Sequence, residues 1–131
     1  MGTIEFDLNV FREMTLNKFI AANNRNRFIA NKMKKEGTHY AKMIVERAMN
    51  MGLRFDWPGK LVFEWTLPDQ RIDPDNWAFC QKYILDGMQK AKFRQEVFLT
   101  NDNVKNIRCL EHKYRIDRNN PKLVVWFEKV G

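Results

Sequence analysis

Asp73 and Asp75 stand two residues apart in Arg71-Ile72-Asp73-Pro74-Asp75-Asn76, within a chain whose formal net charge is +7. Two carboxylates crowded at one corner repel each other unless a cation lies between them. Magnesium suits such a pair, because it is a hard ion that takes oxygen ligands, keeps several waters and accepts its remaining ligands from phosphate. Manganese accepts the same donors. The six residues therefore point to metal-dependent chemistry on a polyanion. They also read as an ordinary helix start, with Asp73 as N-cap, Pro74 at the first position where a missing N–H costs nothing, and Asp75 complementing the helix dipole. Helix logic alone leaves both readings open.

Asp102, in Leu99-Thr100-Asn101-Asp102-Asn103, is a third candidate acid. It follows Asp75 by 27 residues, and one helix between them could return it to the same corner. Three carboxylates there would resemble the metal cage of a phosphodiesterase. His39 and His112 stand alone, without a Ser, Cys or Asp arranged as a nucleophilic set. No Gly-rich phosphate loop is present, so no nucleotide cofactor is expected. Cys80 and Cys109 lack metal-ligand spacing and read as two free thiols.

The positive charge is not spread evenly. Residues 11–60 hold 11 Lys and Arg against 4 Asp and Glu, whereas the remainder is balanced at 12 and 12. Within that stretch Phe28, Ile29, Met33, Tyr40, Ile44, Val45, Ala48 and Met51 recur at helical spacing, with Lys32, Lys34, Lys35, Lys42 and Arg47 between them. A basic helix is the footprint of a phosphate-backbone binder, although a solvated helix face looks the same.

Ile4, Phe6, Leu8 and Val10 alternate with polar residues and predict a strand, followed by a polar loop up to Asn23-Asn24-Arg25-Asn26-Arg27. The basic helix then runs to Gly52, with Gly37 a point where it could break. Leu61 to Leu67 predicts a second strand, and residues 75–92 a second helix. After an irregular stretch, Ile107 to Ile116 and Leu123 to Val130 flank Asp117-Arg118-Asn119-Asn120-Pro121 and read as a C-terminal hairpin. The order β-α-β-α-β-β predicts one α+β domain over residues 1–131, a mixed sheet of about four strands with two main helices packed on it. No apolar run approaches the ~18 residues that span a bilayer, and no export signal is seen, so a cytoplasmic protein without membrane partners is expected.

Several segments, in order, resemble the RusA-like endodeoxyribonucleases that resolve Holliday junctions. Thr15-Leu16-Asn17-Lys18-Phe19 followed by Asn24-Arg25-Asn26-Arg27 is similar to the family's N-terminal Ser/Thr-x-Asn segment and basic helix. Arg71-Ile72-Asp73-Pro74-Asp75-Asn76 matches its Arg-x-Asp-x-Asp-Asn core. Leu85-Asp86-Gly87-Met88 with Lys90-Ala91, and then Asn101-Asp102, continue the likeness over roughly residues 4–128. The resemblance implies that Asp73, Asp75 and Asp102 hold magnesium and that the substrate is a four-way DNA junction. It further implies a homodimer in the cytoplasm of a bacterial or phage-infected cell, at the nucleoid. Asn17, Lys18, Arg25, Arg27, Lys32, Lys34, Lys35, Arg71 and Asn76 are the expected DNA contacts. Two positions depart from the family. Its catalytic lysine is replaced by Phe79, with Lys82 as the nearest substitute, and its paired acids are Asn101-Asp102.

The rival class is a non-catalytic DNA-binding module in which the acidic corner merely caps a helix. A related nuclease for other branched DNA is a third reading.

Overall fold

The computed structural model describes residues 2–130. The elements run β1 (Thr3–Phe6), α1 (Leu8–Arg12), α2 (Leu16–Arg25), α3 (Arg27–Asn50), β2 (Gly59–Leu67), α4 (Pro74–Ala78), α5 (Gln81–Lys90), β3 (Lys92–Phe93), β4 (Glu96–Val97), β5 (Ile107–Ile116) and β6 (Lys122–Lys129). The expected α+β class and the four-stranded mixed sheet are present, with strand order β1-β6-β2-β5.

The first strand is shorter than its alternation predicts. The Asp7 carboxylate accepts a hydrogen bond from the Asn9 N–H at 2.9 Å and starts α1, so that Leu8 and Phe11 turn into the core. Leu8 is inward-facing as the third beat of a strand or as the first residue of a helix, so the period could not distinguish them. The polar loop expected next is α2. Its Leu16, Phe19 and Ala22 lie three apart on the packed side, while Asn23, Asn24 and Arg25 face water. Asn26 separates α2 from α3, its side chain accepting from the Phe28 N–H at 2.8 Å.

α3 passes through Gly37 without a break. A Cβ there would lie 2.8 Å from the Tyr83 ring, so glycine is the residue that lets α5 approach. Farther along, the two helices cross at Gly87, where a Cβ would meet the Ala41 Cβ at 2.6 Å and the Lys42 backbone nitrogen at 2.7 Å. Gly87→Ala sets two effects against each other. Helix propensity favours alanine by up to about 1 kcal/mol, whereas overpacking costs about 1–3 kcal/mol. Because the obstructing atoms include backbone, the second effect wins, and the urea midpoint should fall. An unchanged or raised midpoint would contradict this close crossing.

β2 is buried on both faces, and this decides the topology. It pairs in parallel with β5 on one side and antiparallel with β6 on the other. The two C-terminal strands are therefore not the expected hairpin. They straddle β2, and the connector crosses over its end, where the Asp117 N–H donates to the Leu67 carbonyl at 2.8 Å. A strand with no exposed position along its length is best satisfied at the centre of a sheet, with a neighbour on each edge.

Leu61, Phe63, Trp65 and Leu67, with Leu123, Val125 and Phe127 of β6, belong to the same buried core as Ala41, Val45, Tyr83, Ile84 and Met88. The opposite face carries charge, with Lys60 held by Glu111 at 2.8 Å and Glu128 at 3.3 Å. The second predicted helix is two segments, α4 and α5, broken at Phe79-Cys80. The irregular stretch after it contains the short β3–β4 hairpin, tied to the end of α3 by the Arg54–Glu96 pair at 2.7 Å. Cys80 is buried, Cys109 is exposed, and both are free thiols. Among the described residues no helix is long and apolar enough to cross a membrane.

Candidate metal corner and nucleic-acid groove

The acidic corner lies between the end of β2 and the start of α4. Asp73 has extended backbone (φ −69°, ψ 152°), and its carbonyl accepts from the Asn76 N–H at 3.0 Å. It occupies the N-cap position as expected, yet its carboxylate makes no capping hydrogen bond. Asp73 and Asp75 are both exposed. Among the described residues neither carboxylate enters an ion pair within 4.0 Å.

The corner is held from three sides. Trp77 is buried with its ring centroid 5.9 Å from that of Trp65 in β2. The Tyr114 hydroxyl on β5 donates to the Pro74 carbonyl at 3.0 Å. Asn76 is buried and accepts through Oδ1 from the Asn17 N–H at 2.9 Å, fastening the start of α2 to the corner. Asn76, expected as a DNA contact, therefore acts as a strut, because its position one residue past Asp75 turns it inward. Burial raises the Tyr114 phenol above its ordinary range, and the Asp75 charge adds to the shift. Arg71 is exposed beside these acids, with Asp69 at 3.9 Å.

Asp102 is elsewhere. It sits half-buried in the loop before β5, where the Asn106 side chain donates to the Asn101 carbonyl at 2.7 Å. The Asn106 carbonyl in turn accepts from the Gly59 N–H at 2.9 Å, at the beginning of β2. Gly59 is in register with Ile107, and Leu67 with Ile116. Tyr114, which touches the acidic corner, is seven positions beyond Ile107, about 23 Å at the rise of a parallel strand. One chain does not gather the three acids, and among the described residues no three His, Cys, Asp or Glu side chains form a metal-sized group. The reason is topological. Because β2 and β5 are parallel, α4 and α5 must carry the chain back along the whole sheet, so the return loop lands at the far end.

The basic residues converge more closely. An open groove of about 930 Å³ runs between α3 and α5, with Lys32, Lys34 and Lys35 on one wall and Lys82 and Lys90 on the other. Among the described residues its one lining acid is Asp86, which holds the Lys82 ammonium at 3.3 Å. Phe28, expected to pack under the helix, is 76% exposed at the rim. Arg25 and Arg27 are exposed where α2 meets α3. Two expected cations are engaged in surface pairs, Lys18 with Glu13 at 3.1 Å and Lys42 with Glu46 at 3.3 Å. Asn17 is exposed, but its backbone is committed to Asn76. Lys90 was not among the expected DNA contacts, although Lys82, Asp86 and Lys90 recur every four residues on the polar side of α5.

His112 is part of the scaffold. Its ring stacks on Phe63 at 4.7 Å, Nδ1 accepts from the Trp65 indole at 3.0 Å, and Nε2 lies 2.9 Å from Gln81 Oε1. The Trp65 N–H fixes Nδ1 as the acceptor, so Nε2 carries the proton and the ring is neutral. Burial lowers its pKa. The unfolded chain then binds this proton more readily than the folded one. Stability is fully present above about pH 6.5, the ordinary His value, and declines as the pH falls below it. His112→Gln should flatten that acid limb in thermal melts taken from about pH 7.5 down to about 5, the flattening confined to the range below the ordinary His value of about 6.5.

Comparison with family models, curated proteins and solved structures finds no match for this chain.

Proposed function

We propose that this protein is a RusA-like, magnesium-dependent endonuclease that cuts branched DNA, the four-way junction above all, as a homodimer. One observation carries the reading: two exposed carboxylates share a corner, and among the described residues neither is spent on capping or ion pairing. A plain cap would have its side chain on the backbone of α4. Two carboxylate groups fit magnesium, which is commonly bound through one or two such groups with substrate phosphate and water completing its shell. When bound, the ion would make a water more acidic and stabilise charge on the phosphoryl and leaving oxygens.

The chain's own residues do the rest. Asp73 and Asp75 supply the oxygen donors, while Tyr114, Trp77 and Asn76 hold the corner against the sheet. Lys32, Lys34, Lys35 and Lys90 neutralise the DNA backbone, and Lys82 does so after leaving Asp86. Asp102 joins from a second copy. β5 is an edge strand, with Leu110, Tyr114 and Ile116 exposed along it. Antiparallel pairing of β5 with its symmetry mate sets the Ile107 end of one chain against the Ile116 end of the other. The Asp102 loop of each copy then lies alongside the Asp73–Asp75 corner of its mate.

The deciding experiment incubates the protein with an end-labelled four-way junction or a linear duplex, in magnesium or EDTA, beside Asp75→Asn. Paired, magnesium-dependent nicks on the junction alone, lost in the variant, are expected. A junction bound but never cut by any divalent metal would make the protein a DNA-binding module. Binding should also weaken steeply with salt. Each neutralised phosphate contributes about −0.9 to the slope of log K against log salt, so Lys34→Gln with Lys35→Gln should make the slope shallower by about 2.

A further inference from the structure

A second cavity opens beside the lysine groove and shares Lys34 and Lys82 with it. It measures about 440 Å³ and is lined by the aromatic rings of Phe19, Phe79 and Tyr83 together with Leu85, Gln81 and the two lysines. Phe19 of α2 and Phe79 of the α4–α5 break meet there with ring centroids 5.4 Å apart, both half-buried. Tyr83 meets Phe79 edge-on at 5.7 Å, and its own hydroxyl donates to the Met14 carbonyl at 2.9 Å. The Phe79 ring is thus clamped by a buried neighbour that cannot easily move. Gln81 also lines the cavity, with its carbonyl oxygen engaged by His112 and its amide nitrogen left as a donor.

Flat rings, a hydrogen-bond donor and two ammonium groups within one small cavity match a particular ligand chemistry. Every nucleobase has a π-face that stacks on aromatic side chains, and a phosphate follows it along the strand. We infer that the Phe19–Phe79 cavity takes an unpaired nucleobase from a strand whose phosphates run along the α3–α5 groove past Lys34 and Lys82. This rests on the nucleic-acid reading of that groove. A free mononucleotide would satisfy Lys34 and Lys82 but leave Lys32, Lys35 and Lys90 without partners, whereas a continuing strand supplies a phosphate to each. Paired bases are stacked within a duplex and could not enter, so the cavity selects for DNA whose bases have come apart, as at a branch point.

The test compares two fluorescent strands of equal length, one of thymidine nucleotides and one of abasic nucleotides, by anisotropy at several salt concentrations. Their phosphate charge is the same, so any difference reports the base. The wild-type protein should bind the thymidine strand about tenfold more tightly, the scale of one base–aromatic stack. Phe79→Leu and Phe19→Leu keep the apolar volume but remove the rings, and should erase that preference while leaving abasic affinity and salt slope in place. Lys32→Gln with Lys35→Gln should weaken both strands equally. Equal wild-type affinity for the two strands, with a normal salt slope, would overturn the base cavity alone. Failure to bind either strand, a duplex or a junction would overturn both the cavity and the groove beneath it. The decisive comparison uses unaltered protein, so a variant that fails to fold does not blunt it.

Discussion

Mixing Asp75→Asn protein with Asp102→Asn protein should restore junction cleavage that neither variant shows alone. If the acids hold magnesium as proposed, each carboxylate removed forfeits several kcal/mol of stabilisation around the ion, so each variant should fall by about 10³-fold or more. The recovery follows from where the acids lie. Asp75 is at the end of the parallel β2–β5 pair and Asp102 is before its beginning. If each site takes Asp75 from one copy and Asp102 from the other, a heterodimer combines both lesions in one site and leaves the other intact. With free subunit exchange, half the dimers are mixed, and about a quarter of wild-type sites survive. The products should shift from paired incisions to single nicks, read on denaturing gels. No recovery in a mixture shown by native mass spectrometry to contain heterodimer would return the site to a single chain.

Trp65→Ala should have the largest effect on stability. Trp65 is fully buried, its ring packs beside those of Trp77 and Tyr114, and its indole N–H satisfies His112. Large-to-small changes of this kind cost about 3–5 kcal/mol, a large share of the roughly 5–15 kcal/mol that holds a domain together. Trp65→Phe separates the contributions. It retains much of the apolar contact but strands the His112 Nδ1 acceptor, at a cost of about 1–3 kcal/mol. Urea unfolding should therefore rank wild type above Phe and Phe above Ala. Tyr114 and Trp77 also brace the acidic corner, so Trp65→Ala should loosen α4 before global unfolding, visible as faster amide exchange at Asn76 and Trp77. Equal stabilities for the three proteins would contradict this packing.

The elements that were legible in the sequence are those with one strong local signal. β2 declared itself as a run of aromatic and β-branched residues, α3 by its period, and the start of α4 by Asp73-Pro74. The errors arose where local pattern carried two meanings or none. Leu8 is buried under either period, so α1 was hidden inside an apparent strand. α2 is rich in Asn and Arg and shows its apolar side only once Phe19 meets Phe79. The pairing of β5 and β6 with β2 depends on which strand most needs two neighbours, a comparison across the chain that a turn-like connector cannot supply. The same limit applied to the site. Asp73 and Asp75 are adjacent by sequence, whereas the position of Asp102 depends on whether β5 runs with or against β2.

The sheet order also constrains how the molecule assembles during synthesis. Among the described residues β6 is the only strand that joins β1 to β2, so the N-terminal strand gains its partner in the sheet once residues 122–129 have been made. Contacts of such long sequence separation slow folding, because loop closure is paid for before any pairing rewards it. A ribosome-stalled chain ending at residue 117 should accordingly hold its helices in a loose, protease-sensitive state, with the aromatic face of β2 an open edge for chaperones. Release of the final strand would then convert that intermediate to the closed sheet in a single cooperative step.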